Sequence, residues 1–204
     1  MAAQPIRNKD ELRKFIAYYY DKKHWRNHAL IVVGLNTALR ISDLLRIRWE
    51  QVYDATARRF RTHLHLTERK TKKAQIIILN REVIYALTLH LASNPDVADT
   101  DFVFTNNRRG ELANALCRQQ AHRIIKEAAS HIQTTEKISS HTLRKTFGYH
   151  AWRAGVAVPV LMDIYNHCNY LVTRRYLGIT QDDKDKVFLQ LQNMGDLPQT
   201  PPVF

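Results

Sequence analysis

Between residues 59 and 79 the chain changes period, and that change sets the fold class. Phe60, Leu64 and Leu66 fall on one face of an alternating pattern, and Ile76-Ile77-Ile78-Leu79 is a short β-branched run, so the segment predicts a β-hairpin with its turn near Lys70-Thr71-Lys72-Lys73. Elsewhere the apolar residues recur at helical spacing. Asn8 and Glu11 make a capping-box-like start to a helix through about Tyr20, with Leu12, Phe15, Ile16 and Tyr19 on one face. A second helix is expected over Trp25–Leu39, buried around Leu30-Ile31-Val32-Val33, and a third where Ile41, Leu44, Leu45 and Ile47 repeat. Ile84, Leu87 and Leu91 mark a helix from Arg81 to Ser93, stopped by Asn94-Pro95, and Leu116, Ile124 and Ile125 mark another over 112–131. Ser139-Ser140 cap a helix closed by Gly155, Val158-Pro159 open the next through Ile164, and Leu171–Leu177 is a short element. The fold class is mainly α with a small antiparallel β-sheet (α+β). Residues 1–7 read as a flexible lead and 181–204 as a C-terminal helix and tail.

Charge narrows the partner. The 204 residues carry a formal net charge of +12, which favours a polyanion, most often nucleic acid. From Arg58 to Lys73 seven basic residues stand against one acid, Glu68. Cys117 and Cys168 give neither a disulfide framework nor metal-ligand spacing. No apolar run approaches a membrane span and the Met1 end lacks a signal-peptide core, so a cytoplasmic protein is expected.

The segment His141–Tyr176 carries the chemistry. His141 and Arg144 are three apart, on one helix face, and can address a single anion. His150 and Arg153 repeat the spacing, so the pair alone is weak. Its company is stronger: of the ten histidines only His167 has a tyrosine nine positions later, Tyr176, and an Arg-centred segment around Arg40 lies about a hundred residues upstream. Solvated arginines on an amphipathic helix and a solvated basic loop are the plain alternatives for Arg40 and the hairpin.

Arg, His-x-x-Arg, His and a late Tyr, in that order, resemble the tyrosine recombinase (phage integrase) family over residues 8–180, and Leu39, Arg40, Ser42, Asp43 and Leu44 match its Leu/Met-Arg-x-Ser-Glu/Asp-Leu segment. The resemblance implies that family's catalytic-domain fold. It also implies that Arg40 binds the scissile phosphate, that Asp43 buttresses it, and that a hairpin lysine, best matched by Lys70, is the general acid. Arg144, His141, His167 and the nucleophile Tyr176 complete the set, with DNA contacts expected from Arg69, Lys72, Lys73, Ser140, Lys145, Arg174 and Arg175. These residue types suit the reaction. A tyrosine hydroxyl, with a pKa near 10, needs a proton acceptor and charge stabilisation at phosphorus, and guanidinium forks supply the latter. The resulting 3′-phosphotyrosine keeps the energy of the broken bond, so no cofactor, ATP or metal is implied. Double-stranded DNA and self-association on it, through a C-terminal helix bearing Val187, Phe188 and Leu191, are the implied partners.

Three positions depart from the family pattern: Ala38 and Asn166 stand where Gly is usual, and Lys145 where His is frequent. Few residues precede the first expected helix, which suits either a minimal recombinase or part of a longer one. Two rivals share the pattern, a type IB topoisomerase-like enzyme and a non-catalytic basic DNA-binding regulator.

Overall fold

The computed structural model describes residues 3–106, 114–132, 134, 136–179 and 181–190. Helix α1 (Lys9–Asp21) starts as expected, with the Asn8 side chain accepting from Asp10 N and Glu11 N. Helix α2 (Trp25–Thr37) is the hub. Its residues His28 through Leu35 are buried without interruption, as befits a helix covered on every side. It packs on α1, on α5 (Arg81–Ala92, capped by Asn80) and on α7 (Ser140–Arg153, capped by Ser139). Phe15, Leu30, Ile31, Leu64, Leu87, Phe104 and Ile125 fill the main core. A smaller cluster of Ala38, Leu161, Tyr165 and Leu177 lies where α7 meets α8 (Val158–Tyr165) and α9 (Tyr170–Leu177).

The region 39–52 does not form the single helix that its spacing predicts. It breaks into α3 (Ile41–Leu44) and α4 (Trp49–Val52). Between them the chain turns at Leu45-Arg46 and then pairs through Arg48 with Phe102, where Val103 N donates to Ile47 O and Trp49 N to Asp101 O. The segment around Phe102 thus satisfies backbone groups that a helix would have satisfied internally. The expected hairpin is present as β3 (His63–Thr67) and β4 (Ala74–Ile78), antiparallel, with Leu64 opposite Ile77. Phe60, however, belongs to a separate pair, β2 (Arg59–Phe60) on β1 (Tyr53–Asp54). Leu116 is also not helical. It is extended, donating to Phe104 O at 2.7 Å, and α6 begins only at Arg118 and runs to Ala129, capped by Cys117. The start of that expected helix, in 112–113, lies outside the described residues.

Residues 3–7, expected to be part of a flexible lead, are docked. Ile6 is 1% exposed, its N–H donates to Thr146 Oγ1 at 3.0 Å, and its carbonyl meets His150 Nε2. Arg7 pairs with Glu136 and donates to the Gly178 carbonyl, which ends α9. The apolar Pro5 and Ile6, both buried, dock the segment once a pocket exists to receive them. Helix α10 (Gln181–Gln190) follows, leaving Val187, Phe188 and Leu189 between 52% and 73% exposed. Leu191, the third residue of the expected apolar face, lies outside the described residues.

Candidate active site

Arg144 sits in the second turn of α7 and is 1% exposed. A guanidinium so deep needs acceptors. Its Nη1 donates to the Ala38 carbonyl and its Nη2 to the Tyr165 carbonyl at 2.8 Å. Those carbonyls lie at the ends of α2 and α8, so two helix C-termini, each with partial negative charge, converge on one cation. Both helices stop in the left-handed conformation, at Ala38 (φ 55) and Asn166 (φ 53). That explains why glycine is usual at both positions, and Asn adopts this conformation more readily than Ala. The Tyr165 ring lies 4.6 Å from the guanidinium carbon, and its hydroxyl donates to the Arg144 carbonyl at 2.9 Å. Gly148 makes room for it, since a Cβ there would meet the Tyr165 hydroxyl at 2.0 Å.

Arg40 stands two residues beyond Ala38. It is the N-cap of α3, and its Nη1 lies 2.6 Å from Glu68 Oε2. Because α3 has only four residues, Arg40's fitness for an anion rests on its guanidinium and not on a helix dipole. Glu68 begins the β3–β4 turn and is fully buried. Burial alone would push its carboxyl up, but hydrogen bonds from Thr71 and Arg40 outweigh it and hold the pKa below the usual value. Asp43 Oδ1 accepts from Arg69 N at 3.1 Å, a second tie between α3 and the hairpin. Lys70 therefore stands at the edge of the site, between Glu68 and Thr71, and its charge is felt at His167. Lys72 and Lys73 are exposed further round the turn, Lys72 with φ 58.

His167 and Tyr176 come together. Their ring centroids are 5.1 Å apart, and Tyr165 stacks on His167 at the same distance. The buried Thr173 hydroxyl lies 3.0 Å from His167 Nδ1, fixing the imidazole from the helix that carries Tyr176. The Arg144 guanidinium and Lys145 Nζ each lie 5.7 Å from the Tyr176 ring. Tyr176 and His141 share a cavity of about 800 Å³, with Arg7, Lys137, Lys145, Arg174 and Arg175 on its walls. Burial, then the charges of Arg144 and Arg40, lower the His167 pKa to about 4. Burial, then Arg144 and Lys145, lower that of His141. Both imidazoles are neutral near pH 7.

A pH dependence follows from His167. Its folded pKa lies below the ordinary 6.5, so the unfolded chain binds more protons between pH 6.5 and about 4. The group's stabilising contribution is complete above pH 6.5 and is lost as pH falls toward 4. We expect the melting temperature to fall over that interval and to fall less in His167→Gln; an equal fall would count against a buried neutral imidazole. His28 and His90, both lowered by burial, act with the same sign.

The structure thus places Arg40, Arg144, His167 and Tyr176 together, with His141 on the cavity that Tyr176 lines and Lys70 exposed on the hairpin turn, two residues beyond Glu68. Arg174 and Arg175 are exposed and line that cavity. Lys145, expected as a DNA contact, is only 9% exposed and faces Tyr176. Ser140 borders a separate pocket with Arg118, His122 and Arg123, a basic patch that sequence reading passed over. Sequence reading also missed Tyr165 and the role of Glu68. The signal for Glu68 was its isolation as the single acid in a strongly basic run.

The phage integrase family model matches residues 7–182. The chain belongs to the phage integrase family. Among relatives of this integrase-family chain, the probable integrase/recombinase YoeC of Bacillus subtilis is 36% identical over 182 residues, covering 88% of this chain and 91% of that protein. The fold matches the XerA recombinase crystal structure at TM-score 0.73 and 21% identity, over 94% of this chain and 64% of that one. It matches XerH site-specific recombinase, solved on its palindromic difH substrate after cleavage, at TM-score 0.67 and 19% identity, over 89% of this chain and 51% of that one. The mainly helical architecture with small antiparallel sheets is that of tyrosine recombinase catalytic domains, and this integrase-family chain spans about half to two thirds of those longer proteins.

Proposed function

We propose that this chain cleaves and rejoins double-stranded DNA as a site-specific recombinase, through a covalent 3′-phosphotyrosine at Tyr176. The observation that carries the reading is the convergence of Arg40, Arg144, His167 and Tyr176, from three separated segments, around buried guanidinium donors. Arg144 Nε is buried and has no hydrogen-bond partner among the described residues. A phosphate oxygen is the acceptor it lacks.

In the forward step Tyr176 Oη attacks phosphorus, the bond to the 5′ oxygen breaks, and the 3′ phosphate passes to the tyrosine. The phenolic proton goes to neutral His141, while His167 donates to a non-bridging oxygen. The guanidiniums of Arg40 and Arg144 stabilise the charge that rises at phosphorus. Lys70 gives the leaving 5′ oxygen its proton, and religation reverses each transfer. Proteolysis of the trapped adduct, followed by mass spectrometry of the nucleotide-bearing peptide, tests the reading. Joining of two separate sites, as opposed to relaxation of supercoils alone, distinguishes recombination from topoisomerase action. Such an enzyme would work on DNA in the cytoplasm.

Lys70→Ala is expected to slow cleavage by about 10²–10⁴-fold. A substrate with sulfur in place of the bridging 5′ oxygen has a leaving group that needs no proton, so it should restore the variant's rate. Rescue of Lys72→Ala or Lys73→Ala instead would move the acid along the turn.

The exposed Val187, Phe188 and Leu189 of α10 support docking on a neighbouring protomer. Deleting residues 184–204 is expected to leave the monomer's melting temperature nearly unchanged and single-site binding within about two-fold, while abolishing cooperative pairing of sites. A large fall in melting temperature would place the helix in its own core.

A further inference from the structure

Glu68 is the one acid among the bases of the hairpin, and it is 0% exposed. A carboxylate that merely balanced the surrounding lysines would stay in water, because burying a charge is costly unless it is paired. Its pairing is specific. Oε2 lies 2.6 Å from Arg40 Nη1 and accepts from Thr71 Oγ1 at 2.6 Å, while Oε1 faces Arg144 Nη1 at 3.8 Å. The backbone is closed by Glu68 N to Lys73 O at 3.0 Å and Lys72 N to Glu68 O at 2.9 Å, so the carboxylate moves only with the hairpin tip.

We propose that Glu68 is a positioning residue for strand cleavage, its buried carboxylate holding the Arg40 and Arg144 guanidiniums in place and tying them to the hairpin that carries Lys70. This rests on the function proposed above. Two guanidiniums brought together without DNA repel one another, and a carboxylate between them relieves that repulsion. It leaves the trio with a net charge of +1, enough to attract a phosphodiester. Oε1 stands beyond hydrogen-bond distance of Arg144 Nη1, which donates to the Ala38 carbonyl instead, so Glu68 acts on Arg144 through its charge and leaves Arg144 Nε for an arriving phosphate. Thr71 and Glu68 together link the two halves of the chemistry: stabilisation at phosphorus by the arginines and protonation of the leaving group from the turn.

The test is Glu68→Gln, which keeps the shape and removes the charge. On the nicked duplex that traps the wild-type protein, binding is expected to be equal or tighter, because the site becomes more positive. Single-turnover cleavage is expected to slow by about 10–100-fold, because the guanidiniums lose their fixed orientation. With a methylphosphonate at the scissile position less charge develops and the guanidiniums matter less, so the defect should shrink to within about three-fold. A merely structural role would slow both linkages alike and weaken binding with them, and that result overturns the proposal, as does a wild-type rate on the phosphodiester. Should Glu68→Gln fail to fold, Arg40→Ala/Glu68→Gln removes one charge of each sign and is compared with Arg40→Ala. Rates within about three-fold of each other support action through Arg40, and a further loss as large as the first overturns it. A wild-type protein that forms no adduct on any duplex would instead overturn the functional reading beneath it.

Discussion

Tyr176→Phe is expected to form no covalent adduct with a nicked duplex that traps the wild-type protein, while the variant folds and binds DNA within about two-fold of it. Phenylalanine keeps the ring that packs on His167 and Tyr165 and lies near Arg144. Only the nucleophilic oxygen is lost, and no neighbouring group replaces it. Tyr170 is the nearest rival along the chain. It opens α9 and is 45% exposed, away from the cavity that Tyr176 shares with His141. Denaturing electrophoresis of protein mixed with end-labelled DNA reads the result directly. An adduct of undiminished yield from Tyr176→Phe would transfer the role to Tyr170.

The arginines come next in size. Replacing Arg40 or Arg144 with Ala should lower cleavage by about 10²–10⁴-fold, with DNA binding weakened only by the share of a phosphate contact or two. The two sites differ in their side effects. Arg144→Ala strands the carbonyls of Ala38 and Tyr165, and unsatisfied buried acceptors of this kind cost about 1–3 kcal/mol each. Its melting temperature should therefore fall together with its activity. Arg40→Ala strands the Glu68 carboxylate instead. Arg40→Lys is the cleaner probe, because it keeps a cation beside Glu68 and removes only the planar fork. Cleavage by Arg40→Lys should remain well below wild type at unchanged melting temperature. Parallel losses of binding and cleavage in all three variants would favour a basic DNA-binding protein over an enzyme.

Much of this was legible along the chain because it depends on near neighbours. Side-chain caps at Asn8, Asn80 and Ser139 act within three residues, and each helix begins where its cap stands. The hairpin was legible because alternation and turn residues are also local, and the order Arg40, His141, Arg144, His167, Tyr176 survives as spacing. The left-handed positions at Ala38 and Asn166 were visible only as departures from a glycine pattern, and their reason appears in the backbone angles.

Tertiary structure decided the rest, because local spacing carries no information about which distant groups share a dielectric environment. The helical periodicity of 39–52 yielded to pairing with residues 101–103, and Leu116 was drawn into extended pairing with Phe104. Ile6 looked like part of a flexible lead until α7 offered it a buried place and two hydrogen bonds. Lys145, expected as a DNA contact, faces the tyrosine ring from the wall of the cavity, a placement that only the packing of α7 on α9 shows. The sequence by itself determined which candidate reacting groups this protein carries and most of the local elements that bear them. Only the packing of α2, α7, α8 and the hairpin decided that Arg144 would be buried against two helix ends and that Glu68 would stand between the arginines, since charge burial is settled by groups far apart in the chain.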